Sequence, residues 1–227
     1  MKKIRIFATA LLLAFTLSSC ESFFDVELDD QAKIEDIFRQ KTEVQKYLSH
    51  LYSYIPQEEE VVGMHGWTVG RADESLFSWY QWVYYTQFRT GNYSSATTNF
   101  NYWPDYYIGI NQCSIFLKYI DLDKEDTPAT LAYMKAEARF LRAYYYFHML
   151  RTWGGVPLCD KPDVLMTSEI AQLSKERATE QATWQFIRDD VDRSCEIYDK
   201  LGFGNFKSRN CYWNKAASYC LKAEVYL

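Results

Sequence analysis

Apolar positions recur at helical spacing between Thr127 and Leu158. Leu131, Met134, Ala138, Leu141, Tyr145 and Met149 lie three or four residues apart and form one face. Thr127 predicts a cap, and Pro128 falls at the first helical position, where its missing N–H costs nothing. Gly154 and Gly155 end the pattern, and Pro157 prevents its resumption. The pattern returns at the end of the chain. Lys135-Ala136, Leu141-Arg142-Ala143 and Tyr146-Phe147 align with Lys215-Ala216, Leu221-Lys222-Ala223 and Tyr226-Leu227 at a constant offset of 80 (215 − 135). Matching small and large positions predict two helices with one packing role in a repeat array.

Further helices surround these two. Val44, Tyr47, Leu48, Leu51 and Ile55 mark a face that Pro56 ends, with Thr42 and Gln45 spaced as a capping box. Pro104 opens a helix through Ile120, and Asp121 to Asp126 form an acidic turn. Cys159 to Ala178 read as a polar connector. A helix from Thr183 to Lys200 carries Trp184, Ile187, Val191, Cys195 and Tyr198 on one face, and Gly202 and Gly204 break it. Two antiparallel pairs follow, 104–120 with 130–151 and 180–200 with 213–227. Asp189, Asp190 and Asp192 are expected on a solvated face. Phe140, Tyr144 and Phe147 lie off the main stripe of the central helix and predict a patch that either a partner protein or the rest of the chain covers. No Gly, Asn or Pro closes the last helix, so the chain is read as the N-terminal part of a longer protein. On that reading Leu221, Val225 and Leu227 have nothing after them to bury against.

Residues 61 to 103 break the helical rhythm. Gly63, Gly66, Gly70 and Gly91 interrupt it, and Trp67, Trp79, Tyr80, Trp82, Tyr84, Tyr85, Tyr93, Tyr102 and Trp103 crowd into it. Arg71, Asp73 and Glu74 stand among them. Rings that stack on sugar C–H faces, beside groups that bond hydroxyls, are the parts of a glycan site. Arg71, Asp73, Glu74, Trp79, Tyr80 and Trp82 are therefore the candidate ligand residues. Aromatic content of 18%, with 19 Tyr and 7 Trp, exceeds ordinary core needs.

The N-terminus is a targeting segment. Lys2, Lys3 and Arg5 precede an apolar run from Ile6 to Leu17 that is too short to span a bilayer. Leu17-Ser18-Ser19-Cys20 resembles the lipobox of bacterial lipoproteins, in which the Cys becomes the lipidated first residue. The organisation read from the chain is a signal peptide at 1–19, a tether at 20–30 and a helical domain at 31–227. Residues 21–30 hold five acidic side chains and no basic one.

Composition excludes several classes. Hydrophobic content of 48% with 24% charge describes a globular chain, and a net charge of −5 argues against nucleic acid. His50, His65 and His148 show no metal-ligand spacing, and no C-x-x-C, H-E-x-x-H, G-x-S-x-G or phosphate-binding loop is present. No metal and no cofactor are expected beyond the lipid on Cys20. Cys113, Cys195 and Cys220 sit on helix faces and predict buried thiols.

The block Glu137-Ala138-Arg139-Phe140-Leu141-Arg142-Ala143-Tyr144-Tyr145-Tyr146-Phe147, followed by Trp153-Gly154-Gly155-Val156-Pro157-Leu158, resembles the core motif of the SusD/RagB family. Gln31 to Phe38 through Leu51-Tyr52-Ser53 is similar to that family's N-terminal helix region. Trp103, Tyr107, Ile110 and Cys113 to Leu117 resemble its W…Y…I…N motif, with Ser114 where the family usually has Asn. The resemblance implies a mainly α fold of tetratricopeptide-like helix pairs carrying an irregular aromatic-rich loop region. It implies members more than twice this length and a lipoprotein on the outer face of the outer membrane. Such a protein binds nutrient, above all glycan, for a SusC-like TonB-dependent transporter and is not an enzyme. The alternatives are a helical-repeat interaction scaffold without ligand and a glycan-degrading enzyme with its carboxylates further along the chain.

Overall fold

The computed structural model of the chain describes residues 34–55, 91, 94, 102–159, 176–202 and 214–227. The chain divides into units 1–36 and 37–227. Of the first unit, Ile34 to Asp36 are described, at the start of the short helix α1 (Ile34–Ile37). The second is built from α2 (Lys41–Leu51), α3 (Trp103–Tyr119), α4 (Pro128–Trp153), α5 (Glu180–Leu201) and α6 (Lys215–Tyr226). Short 3-10 turns, Tyr52–Tyr54 and Ile120–Leu122, follow α2 and α3. Every regular element among the described residues is helical. None of the described helices is long and apolar enough to cross a membrane.

The central helix begins and ends on the expected residues. Thr127 is its N-cap, its Oγ1 accepting from the Thr130 amide at 3.2 Å. Gly154 ends it at φ +72°, a left-handed conformation that side-chain-bearing residues avoid. Helix α5 is capped one turn earlier than its apolar pattern suggested, by Thr179. Asn214 caps α6. The capping box at Thr42 does not form. Helix α2 starts at Lys41, so Thr42 already lies inside its first turn, and Gln40 caps with its backbone alone.

The helices stack in chain order, each antiparallel to the next. Helix α2 lays Val44, Leu48 and Leu51 against the bundle, and the Tyr47 hydroxyl donates to Gln112 of α3. Tyr52 donates to the buried Glu137, and Tyr145 donates to the Leu51 carbonyl. These bonds satisfy hydroxyls that would otherwise be costly to bury. Helix α4 is flanked by α3 and α5, so more than one stripe of it is buried. Phe140 and Phe147 are therefore covered, at 1% and 4% exposure, with Phe147 edge-on to Trp184 of α5. Of the two covers expected for them, partner or chain, these two rings have the chain itself, so they are not partner-facing. Tyr144 is half-buried between Phe140, Tyr145 and His148.

A buried charge cluster joins the middle three helices. Arg142 donates from Nε to Asp190 Oδ2 at 2.6 Å and from Nη2 to Oδ1 at 2.9 Å. Its Nη1 reaches Ser114 Oγ at 3.0 Å, and Arg139 adds a bond to Asp190 Oδ1 at 2.8 Å. Burial pulls the Arg142 pKa down, but the facing carboxylate more than offsets this and leaves it raised. Asp190 is 2% exposed and is not on a solvated face. Spacing alone misplaced it, because the carboxylate points at α4 and two guanidinium groups make its burial tolerable.

The repeat is visible in the contacts. Lys135 of α4 pairs with Asp121 at the end of α3 at 2.6 Å, and Lys215 of α6 pairs with Asp199 of α5 at 2.7 Å. Arg142 meets Ser114 of α3, and Lys222 meets Asp192 of α5 at 2.8 Å. Residues on the second helix of each pair differ by 80 (222 − 142) and those on the first by 78 (192 − 114). Leu221 and Val225 are buried at 6% and 3%, contrary to their expected exposure, because α5 covers them. Leu227 is fully exposed. Cys113 and Cys195 are buried thiols as expected, whereas Cys220 is exposed.

Candidate functional site

Cys20 and the six candidate ligand residues, Arg71, Asp73, Glu74, Trp79, Tyr80 and Trp82, lie outside the described residues. What the structure describes is the frame from which the aromatic-rich segment departs and to which it returns. Ile55 follows α2, and Tyr102 precedes α3. Both lie at one end of the bundle, together with the C-terminus of α4 and the N-terminus of α5. After Pro157 the chain runs back along the bundle to Cys159, beside Ser114 and Tyr146, and Arg177 returns to the end at Trp153.

That end is itself aromatic. Trp103 meets Trp153 edge-on at 5.3 Å between centroids and Tyr107 at 5.1 Å. Arg177 lies 5.1 Å over the Trp103 ring and donates to the Trp153 carbonyl at 3.0 Å. One side chain therefore stacks on α3 and satisfies a carbonyl at the end of α4. Tyr107 donates to the Pro157 carbonyl at 2.8 Å. Cys159 is held through its amide by Tyr146 at 2.7 Å and through its carbonyl by Ser114 at 3.4 Å. The Trp-Gly-Gly-Val-Pro segment is thereby pinned between α3 and α5. At Gly155 a Cβ would overlap the Ala178 carbonyl oxygen and lie 2.9 Å from the Glu180 nitrogen, so the motif needs glycine for close approach.

A second ring group adjoins it. Tyr106 stacks on His148 at 6.2 Å, and Tyr144 approaches His148 at 4.3 Å. Burial, then the Arg151 charge, pull the His148 pKa down to about 4. The imidazole is neutral in the fold, while an unfolded chain protonates near pH 6.5. Stability from this group is complete above pH 6.5 and is lost as pH falls towards 4. Replacing His148 with Phe should reduce that acid-side loss by on the order of 2 kcal/mol. Urea titrations at pH 7 and pH 4.5 measure it, and an identical pH dependence in both proteins would contradict it.

The other end of the bundle offers a groove of about 560 Å³ lined by Asp121, Asp123, Lys124, Asp126, Leu131 and Lys135, among others. Two of its carboxylates are paired within the fold. Lys135 holds Asp121, and Lys41 holds Asp126 at 2.6 Å. It contains no aromatic ring and does not match a sugar site. Among the described residues no group of His, Cys, Asp or Glu is placed to hold a metal.

Ile55 and Tyr102, the described residues on either side of the predicted ligand segment, thus lie at the end of the bundle that carries Trp103, Tyr106, Tyr107, Tyr144, His148 and Trp153. Sequence reasoning missed Arg177. It sits in a polar connector without periodicity, and only its ring and carbonyl partners reveal its role.

Comparison with known proteins agrees with this architecture. A family model of the SusD-like type, described as "Starch-binding associating with outer membrane", matches residues 22–227. A SusD-like protein of Bacteroides ovatus is 28% identical over 161 residues, which cover 70% of this chain and 27% of that protein. SusD-like protein P38 of Formosa agariphila is 23% identical over 198 residues, covering 86% of this chain and 38% of the relative. The chain therefore spans only about a quarter to two-fifths of these relatives. Among solved structures, NanU of B. fragilis superposes with a TM-score of 0.66 at 23% identity, covering 88% of this chain and 39% of that one. A laminarin-binding SusD-like protein superposes at 0.63 and 18% identity, covering 83% and 40%. A match across almost the whole chain, with the tetratricopeptide-like fold of these structures, shows that the chain belongs to the SusD-like (SusD/RagB) family.

Proposed function

We propose that this chain is the N-terminal helical part of a lipid-anchored outer-membrane protein that binds glycan and hands it to a TonB-dependent, SusC-like transporter. The observation that carries the reading is the family match beginning at residue 22, two residues after Cys20. A lipobox-like leader followed at once by a domain described as starch-binding and outer-membrane-associated supports an anchored surface receptor. The laminarin-binding structural neighbour supports glycan as the ligand class. The aromatic-rich segment containing Trp79, Tyr80 and Trp82, tethered at the aromatic end of the bundle, supplies stacking rings, and Arg71, Asp73 and Glu74 supply hydroxyl partners. No bond is broken; binding concentrates ligand at the mouth of the importer.

The lipid confines receptor and transporter to one membrane, so a modest interface suffices. Two or more acyl chains, each CH₂ worth about 0.8 kcal/mol when buried, anchor stably. Gentle detergent extraction of the tagged complete protein should therefore recover a large barrel protein in near-equal amount. Cys20→Ala should leave the protein unlipidated and abolish that recovery. A wild-type mature N-terminus other than a modified Cys20, or recovery of the lipoprotein alone in several mild detergents, would contradict the reading.

A further inference from the structure

The acidic turn between α3 and α4 leaves two carboxylate oxygens unused. Asp123 follows the 3-10 turn Ile120–Leu122, and its Oδ1 accepts from the amides of Glu125 at 2.8 Å and Asp126 at 3.2 Å. Those bonds hold the side chain inward, and Asp123 is 1% exposed. Asp126 is held from the side of α2. Its Oδ1 meets Lys41 at 2.6 Å, and its side chain is 3% exposed. The second oxygen of each carboxylate, Asp123 Oδ2 and Asp126 Oδ2, is buried and has no hydrogen-bond partner among the described residues. A buried charged acceptor without a donor costs more than a neutral one.

Both residues line the groove of about 560 Å³ at this end of the bundle. The nearby cations are largely committed elsewhere. Lys135 bonds both oxygens of Asp121, at 2.6 Å and 2.8 Å, and Lys124 donates to the Asp121 carbonyl at 2.6 Å. Lys41 is left to answer the rest. Its pKa is raised first by the hydrogen bond and charge of Asp126, and further by Asp123 and Glu125. The turn's carboxylates, Asp121, Asp123, Glu125 and Asp126, outnumber these three lysines, so the groove keeps an excess of negative charge. Its other wall is apolar, formed by Pro128, Leu131 and Ala132 in the first turns of α4. Acceptors without donors beside an aliphatic wall match a cation carried on an aliphatic stem. The described His, Cys, Asp and Glu side chains do not group as metal ligands do, which favours an organic cation. A guanidinium suits two neighbouring oxygens best, because its N–H donors form a planar fork and it is weakly hydrated.

We propose that this groove binds a small organic cation of the arginine type, whose guanidinium donates to Asp123 Oδ2 and Asp126 Oδ2 while its methylene stem lies along Pro128, Leu131 and Ala132. A volume of this order is that of a small-ligand cavity. The site stands apart from the aromatic end of the bundle and is independent of what binds there.

The test titrates the complete protein, purified as a monomer, with Nα-acetyl-arginine amide and with its neutral counterpart Nα-acetyl-citrulline amide, by calorimetry at low salt. The arginine probe should bind at least about tenfold more tightly, since only it makes charge-assisted hydrogen bonds. Asp123→Asn keeps Oδ1 for the turn and puts an N–H donor in place of Oδ2, so the folded variant should bind the arginine probe about tenfold or more weakly. Asp126→Asn should weaken it too, and serves if Asp123→Asn does not fold. Glu125→Gln removes an exposed charge from the same turn and should change affinity by less than about threefold. Equal affinity for the two probes, no binding of either, or unchanged binding in the Asn variants would overturn the proposal. Displacement of the arginine probe by stoichiometric calcium would also overturn it, by assigning the two oxygens to a metal.

Discussion

Replacing Asp190 with Ala should cost about 3–5 kcal/mol of folding stability, one of the two largest effects expected of a single substitution here. The reason is asymmetric. The Arg142 side chain is 9% exposed and would keep its charge but lose two hydrogen bonds from Nε and Nη2. What remains beside it is Ser114 Oγ and the face of Phe186 at 5.1 Å, neither of which neutralises a buried guanidinium. Arg139, at 32% exposure, can turn to water and contributes less. For a domain of this size the loss corresponds to a fall of roughly 6–20 °C in thermal midpoint. Urea titration followed by circular dichroism measures it. The double variant Asp190→Leu with Arg142→Met should recover a large part, since two apolar side chains of similar volume replace a buried pair with little penalty. A loss below about 1 kcal/mol in Asp190→Ala would show that the pair is hydrated in solution and does not join the three helices.

Gly155→Ala should be comparably severe, about 3 kcal/mol or more, for a steric reason. A methyl group at this position overlaps the carbonyl oxygen of Ala178 and crowds the backbone at Thr179 and Glu180. No side-chain rotation relieves a clash with backbone. The segment before α5 would have to move, breaking the bond from the Ala178 amide to the Val156 carbonyl at 3.2 Å and disturbing the Thr179 cap. Gly109→Ala provides the comparison. There the added methyl would meet the Tyr145 ring at 2.8 Å, a side chain that is itself fully buried. Both variants should lose stability, but only Gly155→Ala should also loosen the platform around Trp103 and Arg177. Tryptophan fluorescence of the folded variants would register that loosening. A Gly155→Ala protein with wild-type stability and emission would contradict the packing described.

Much of this fold was legible from periodicity. The caps at Thr127 and Gly154, the stripe from Leu131 to Met149 and the copy of α4 in α6 are local patterns, and local chemistry fixes them. Residues between two neighbours were harder. Phe140 and Phe147 lie off the main stripe, yet α4 is buried on two sides, and one sequence does not tell a second buried face from an interaction surface. Asp190 was misread because a carboxylate among carboxylates usually marks a wet face. The guanidinium groups that change its meaning are about fifty residues away in sequence, as its two partners, Arg139 and Arg142, show. The capping box at Thr42 failed for a simpler reason: a matching motif does not fix where a helix begins. The aromatic-rich stretch stood out by composition, and the ring-lined end of the bundle beside its described flanks, Ile55 and Tyr102, emerged only from the contacts of Trp103, Tyr107 and Arg177.

Glycan binding by the complete protein tests the central claim most directly. Native electrophoresis through gels containing soluble polysaccharides, α-linked starch and β-linked laminarin among them, reports binding as retardation without labelling the protein. At least one polysaccharide should retard the wild type. Trp79→Ala or Trp82→Ala should weaken that retardation with an unchanged thermal midpoint, by about 1 kcal/mol, or roughly fivefold, for each stacked ring lost. A folded wild-type protein that no polysaccharide in the panel retards, or two variants that bind as the wild type does, would contradict the account.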